Sequence, residues 1–176
     1  MPDPVFTGVN HICIVTHDLD RVVRTWADRY DTGPWNIWTK DGSNMSAEVD
    51  GRPTDTAFRV ALCTVSPTFR LEIIQPLDDR SPYAKSLAER SGADHIHHVR
   101  FEIANYGDAA ARLDGIGARR LFHAEFDAAP GVDGKFVGTY FGTQDDLGFI
   151  VEIGQAPQTF AMPEPEQVYP PPTARP

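Results

Sequence analysis

The feature that most constrains this chain is a pattern that occurs twice. VNHICIV (9–15) and HHVRFEI (97–103) both read as strands that open on histidine and continue in apolar alternation. A helical pattern and further strands follow each of them. A strand with a glutamate inside an apolar run closes each unit, LEIIQP with Glu72 and FIVEIGQAP with Glu152. His11 and Glu72 are 61 positions apart (72 − 11), His98 and Glu152 are 54 apart (152 − 98), and the difference is one loop. Repetition of this kind implies two equivalent units packed about a pseudo-twofold axis, and 176 residues suit two small modules sharing a core.

Local signals fill in the units. In the first strand His11, Cys13 and Val15 fall on one face and Ile12 and Ile14 on the other. Asp18 can cap a helix carrying Leu19, Val22, Val23, Trp26 and Tyr30, with Gly33-Pro34 as its stop. Strands are expected at 57–65 and 69–74, and residues 35–56 hold at least one more strand or a mobile loop. Residues 81–91 read as a connecting helix with Ser81 as cap and Pro82 in the first position. In the second unit a helix spans 108–113, closed by Gly115 and Gly117, before strands at 136–142 and 149–153. The boundaries that follow are 7–76 and 95–157 for the modules, 77–94 for the connection and 158–176 for the tail. That tail, ending PEPEQVYPPPTARP, is too proline-rich for helix or strand and should be an extended segment, disordered or draped over a neighbour.

The formal net charge of −9 argues against nucleic-acid or membrane-surface binding. The sequence offers no apolar run of membrane-spanning length and no signal-peptide core at MPDPVFTG, so a cytoplasmic location is the default. Cys13 and Cys63 lie in apolar runs without a paired motif and read as buried free thiols.

Taken together, NHICI, LEIIQP, HHVRF and FIVEIGQAP resemble the vicinal oxygen chelate superfamily, which includes glyoxalase I, methylmalonyl-CoA epimerase, extradiol dioxygenases and antibiotic-sequestering proteins. The resemblance covers about residues 7–157 and is nearest in pattern to the methylmalonyl-CoA epimerase-like members. It implies an α+β fold of two βαβββ modules forming a paired, barrel-like curved sheet around one metal site. The family's ligands fall on His11, Glu72, His98 and Glu152, with His98 preferred to His97 because it directly precedes the apolar alternation. Two imidazoles and two carboxylates suit one divalent ion, Zn, Ni, Co, Mn or Fe.

The resemblance also frames the pocket. Strand alternation would bring Cys13 and Arg100 into it, and Arg59 falls where the epimerases carry a glutamate base. Arginine cannot accept a proton at ordinary pH, which weakens a two-base epimerisation and points Arg59 and Arg100 toward binding an anion. Glu152 is expected as ligand and base, Tyr140 as general acid, and Trp35 and Trp38 at the pocket mouth, where they could stack on a planar substrate. His17, His97 and His123 are expected at the surface or behind the ligands. The expected activity is a divalent-metal-dependent isomerase or lyase working through a metal-stabilised enolate on a small oxygenated, carboxylate-bearing substrate, in a protein suited to a homodimer. The alternatives are an Fe(II)-dependent extradiol-type dioxygenase and a non-enzymatic small-molecule sequestering protein.

Overall fold

The computed structural model describes residues 4–172. Its first module runs β1 (Phe6–Val15), α1 (Leu19–Tyr30), β2 (Trp35–Lys40), a hairpin of β3 (Met45–Val49) and β4 (Arg52–Pro53), then β5 (Phe58–Ser66) and β6 (Phe69–Pro76). Helix α2 (Pro82–Glu89) leads to the second module, β7 (His95–Ile103), α3 (Tyr106–Gly115), β8 (Arg119–Asp127), β9 (Lys135–Gly142), the single turn α4 (Gln144–Leu147) and β10 (Ile150–Gln155). A last strand, β11 (Gln167–Tyr169), lies in the tail.

All the strands join one open, curved sheet in the order β11-β2-β5-β6-β1-β7-β10-β9-β8-β3-β4. The two modules meet at β1 and β7, which pair antiparallel, while β6 runs parallel to β1 and β10 parallel to β7. Equivalent strands therefore flank the centre on both sides, as the repeat requires. Helices α1 and α3 cover the outer face, while α2 packs Tyr83 and Leu87 on the concave side. Asp18 caps α1 by accepting from the Arg21 N–H at 3.0 Å, and Leu19, Val22 and Val23 pack on Trp35, Ala61, Cys63 and Ile73. Helix α3, capped by Asn105, lays Ala109, Ala110 and Leu113 on Phe141, Val151 and Ile153. The concave face is left to line a cavity.

Both outer module strands are covered, which removes open edges that would template pairing with other chains. The β3–β4 hairpin, inserted in the first module, crosses to pair β3 with β8 of the second. The tail makes the reciprocal crossing: it leaves β10, spans the cavity and pairs β11 with β2. This corrects the expectation that the tail is too proline-rich for a strand. Gln167, Val168 and Tyr169 form a three-residue stretch without proline, sitting on an edge where proline on either side is tolerated. The tail is fixed to its own chain: Glu166 accepts from the Thr39 N–H and hydroxyl, both at 2.9 Å, and the Trp38 indole donates to Pro163 O at 2.9 Å. Residues 173–176 of the expected tail lie outside the described residues. Among the described residues no helix is long and apolar enough to cross a membrane.

Glu166→Ala should loosen this strap by removing two charge-assisted hydrogen bonds at the rim. The expected cost is about 1–2 kcal/mol, read as a Tm lower by several degrees, with faster proteolysis confined to residues 157–170.

Candidate metal centre

Strand register brings the four predicted ligands together. Across the central pair, Cys13 faces His98 and His11 faces Arg100. Glu72 on β6 lies beside Cys13, and Glu152 on β10 lies beside Arg100. All four side chains are buried. His11 Nε2 is 3.2 Å from His98 Nε2, 3.4 Å from Glu72 Oε2 and 3.0 Å from Glu152 Oε2. His98 Nε2 is 3.1 Å from each of those same two oxygens.

The His11, His98 and Glu152 donors lie close enough to one another to hold a shared cation, and Glu72 forms an overlapping group with His98 and Cys13. Donors about 2.1 Å from an ion stand about 3.0 Å apart at right angles and about 3.4 Å apart at the tetrahedral angle. Glu72 Oε2 and Glu152 Oε2 are buried with no hydrogen-bond partner, although imidazole nitrogens lie close by. What steadies these buried carboxylate oxygens is therefore opposite charge, from a protonated imidazole or from a shared cation in its place. Two neutral imidazoles and two carboxylates would balance a divalent ion.

Electrostatics prepares the donors. Burial pushes the Glu72 and Glu152 carboxyls up, but the His11 and His98 imidazoles outweigh it and hold both below the usual carboxylate range. Burial works against charge on His98, yet Cys13 and the two carboxylates raise it well above the usual histidine value. A proton and a cation therefore compete for Nε2. Metal retention should begin to fall above pH ~6.5 as the solution is acidified, measured as metal content after dialysis between pH 8 and 5. In chelated protein the sign reverses: the raised His98 gives stability that is full below the unfolded histidine value and lost as pH climbs through the folded one.

The surroundings fix these donors. Between Cys13 and Ile14 the β1–β7 register shifts, leaving His97 as an extra residue in the ladder. Its buried ring stands behind His98, Nδ1 to Nδ1 at 3.0 Å. Burial, then the neighbouring His98, keeps His97 well below the usual histidine value. As a neutral ring, His97 can accept the His98 Nδ1 proton and leave Nε2 free for a cation. Tyr140 stacks on His98 at 4.4 Å between ring centres and shares a 2.7 Å hydroxyl contact with Tyr83. Burial, then the partner phenol, holds Tyr140 well above the usual tyrosine value, so it remains a proton donor. Tyr83 sits on the connecting helix α2, where no sequence motif marks a site residue. Cys13, in contact with the cluster, is pushed by burial up to about 12 and stays a thiol. His123 is engaged with Thr139 at 2.8 Å, and His17 is exposed.

Two predicted pocket residues lie elsewhere. On β5 the side chains of Phe58, Val60, Leu62 and Thr64 line the cavity, so Arg59 points to the helix side. There it clasps Asp20 through two 2.9 Å bonds. Trp35 is likewise buried beneath α1, its indole donating to Thr32 O at 2.7 Å, whereas Trp38 does line the cavity. In both cases parity is the physical reason, because an offset of one residue reverses the face. Arg100 is in the cavity as expected, its guanidinium 4.5 Å from the Phe136 ring centre and its Nε buried without a partner. Arg70, not anticipated, flanks His11 from β6 just as Arg100 flanks it from β7.

Two substitutions check this geometry. A Cβ on Gly138 would come within 3.2 Å of Glu152 Oε1. Gly138→Ala should therefore weaken metal binding with little change in folding, seen by metal titration beside circular dichroism. Arg59 holds the Asp20 carboxyl below its usual value, so that contribution exists above pH ~4 and fades as pH falls through the lowered value. Asp20→Asn should cost under ~1 kcal/mol at pH 7, since the pair is partly solvated, and progressively less as the solution is acidified through that lowered value.

The cluster opens into a cavity of about 600 Å³ lined from both modules and from the tail. Residues 10–137 match the Glyoxalase/Bleomycin resistance protein/Dioxygenase superfamily. An ethylmalonyl-CoA/methylmalonyl-CoA epimerase of Cereibacter sphaeroides is 29% identical over 147 residues, 84% of this chain and 96% of that protein. Among solved structures, a variant of the Streptomyces coelicolor methylmalonyl-CoA epimerase in complex with 2-nitronate-propionyl-CoA superposes with a TM-score of 0.62 at 22% identity, covering 89% of this chain and 99% of that one. The methylmalonyl-CoA epimerase from Mycobacterium tuberculosis gives 0.60 at 19% identity, covering 88% and 91%. With its duplicated βαβββ architecture and a profile match over most of its length, the chain belongs to the glyoxalase/bleomycin resistance/dioxygenase superfamily.

Proposed function

We propose that this protein is a divalent-cation-dependent isomerase or lyase that removes a proton from a carbon lying between a carbonyl and a carboxylate. The observation that carries the reading is the gathering of the His11, His98 and Glu152 donors around one point, with Glu72 close to both imidazoles and two carboxylate oxygens without a hydrogen-bond partner. A divalent cation held there supplies Lewis acidity that lowers the pKa of a C–H beside a carbonyl.

The chain's own groups would do the rest. Glu152, kept ionised and facing open cavity beside Gly138, is placed to take the proton. Arg100 and Arg70 line the same wall without an ion pair among the described residues, which suits them to orient the substrate carboxylate. The protonated Tyr140 hydroxyl can donate to oxygen as charge develops. The cavity face of β5 offers Phe58, Val60, Leu62 and Thr64, none of which accepts a proton at neutral pH. The wall thus supplies no second base there, favouring proton removal and return through Glu152, or elimination, over two-base epimerisation. The epimerase relative supports a 2-substituted malonyl thioester as the first compound to try, since it presents the carbonyl, the acidic carbon and the carboxylate together.

The test begins with metal content of the chain and of His98→Ala, purified without chelator. About one metal per chain is expected, lost in the variant. Loaded protein is then incubated in deuterium oxide with methylmalonyl-CoA, ethylmalonyl-CoA and small 2-keto and 3-keto acids, and exchange at the acidic carbon is followed by NMR. Glu152→Gln should slow exchange by at least ~100-fold. Arg100→Met should raise KM with kcat less affected. A chain that none of Zn, Ni, Co, Mn or Fe(II) will load overturns the reading. So does oxygen consumption with catechols in place of exchange.

A further inference from the structure

Beyond the cluster, the cavity extends to a charged residue that the chemistry above does not use. Lys40, the last residue of β2, lines this cavity and is only 4% exposed. Its ammonium lies 6.0 Å from the centre of the Phe126 ring. Neither an ion pair nor a side-chain hydrogen bond engages it among the described residues. The nearby carboxylates have other partners: Glu166 is held by Thr39, and Asp127 lies 3.7 Å from Lys135. A lysine normally carries its charge out to water along its flexible stem, but here the stem is buried in the cavity wall. Burial holds the ammonium below the usual lysine value, and Glu166 and Asp127 act on it only at a distance, without an ion pair to either among the described residues.

Aromatic side chains are frequent along the cavity wall, with Phe126 beside Lys40. Trp38 and Phe58 come from the first module, Phe126 and Phe136 from the second, and the tail strap closes the roof with Phe160 and Pro163. The Trp38–Pro163 hydrogen bond pins that roof to the wall. Along the strands this end is well separated from the cluster. Asn36 is level with Leu62 and hence with Glu72, and Lys40 lies four residues further on, about 13 Å at the usual strand rise.

We propose that this end of the cavity is a second recognition pole, which takes a flat apolar or aromatic group ending in a single anion, a carboxylate by preference, paired with Lys40. It deepens the function proposed above, resting on that reading only for the idea that the far end of the same molecule reaches the cluster. The site then recognises substrate at two ends: a chelating, carboxylate-flanked head at the His/Glu cluster and an anionic tail under the strap.

The experiment measures binding of naphthalene-2-carboxylate and of its uncharged amide to the full-length protein by calorimetry, with Trp38 fluorescence as a second readout. The acid should bind at least ~10-fold more tightly than the amide, the scale of one charge-assisted bond. Lys40→Met should abolish that preference and Lys40→Arg should keep it. His98→Ala, which removes a cluster donor, should leave it unchanged. A preference that survives Lys40→Met, or that disappears in His98→Ala or Arg100→Met instead, overturns the proposal, as does absence of binding. The acid–amide comparison on the unaltered chain needs no variant, so a Lys40→Met protein that fails to fold does not remove the test. Failure to load metal would overturn the proposed reaction while leaving the naphthoate result to stand by itself.

Discussion

The antiparallel pairing of β1 with β7 is the contact on which the rest of the molecule depends. Each module alone carries one histidine and one glutamate of the cluster, and neither module can enclose a cation. Pairing the two strands in one register sets Cys13 against His98 and His11 against Arg100, bringing the two Nε2 atoms to 3.2 Å. The parallel neighbours β6 and β10 then deliver Glu72 and Glu152 by the same geometry on either side. The bulge at His97 belongs to this arrangement. It breaks strict alternation where one neutral imidazole is needed behind another.

The two faces of the sheet do different physical work. The outer face is conventional core, with α1 and α3 burying branched and aromatic side chains. The concave face gathers ionisable groups: the buried His/Glu cluster and Lys40, with Arg100 half-buried and Arg70 exposed. Strands that cross between modules make this tolerable. The β3–β4 hairpin and the tail strap each tie one half to the other's edge, enclosing the cavity while covering strands that would otherwise be open. Stability and site closure are thus supplied by the same two excursions.

The recognisable parts of the sequence are those governed by short-range periodicity. The strands at His11, Glu72, His98 and Glu152 emerge from apolar alternation, and α1 from its cap and helical spacing. Strand β8 carries a weak sequence signal because RRLFHAEFD mixes charges with its apolar residues, although it occupies a fully paired position beside β9. The stretch 35–56 has no single periodicity because it contains two structures with different destinations, β2 in its own module and a hairpin that pairs with the other. Tyr83 and Arg70 carry no local signal at all, and only the way α2 and β6 pack against the centre puts them in the cavity.

The sequence by itself determined the duplication, since the same residue types recur in the same order in both halves, and its resemblance to a known family pointed to the four cluster residues. Tertiary structure alone decided which face each cavity residue occupies. Arg59 and Trp35 lie beneath α1 because a strand has a period of two, so a register uncertain by one residue leaves the face undetermined until neighbouring strands pair. It also decided that a proline-rich tail becomes a strap and that Lys40 is buried in the cavity wall beside Phe126. Both depend on contacts between residues far apart in the chain, and local sequence carries no record of them.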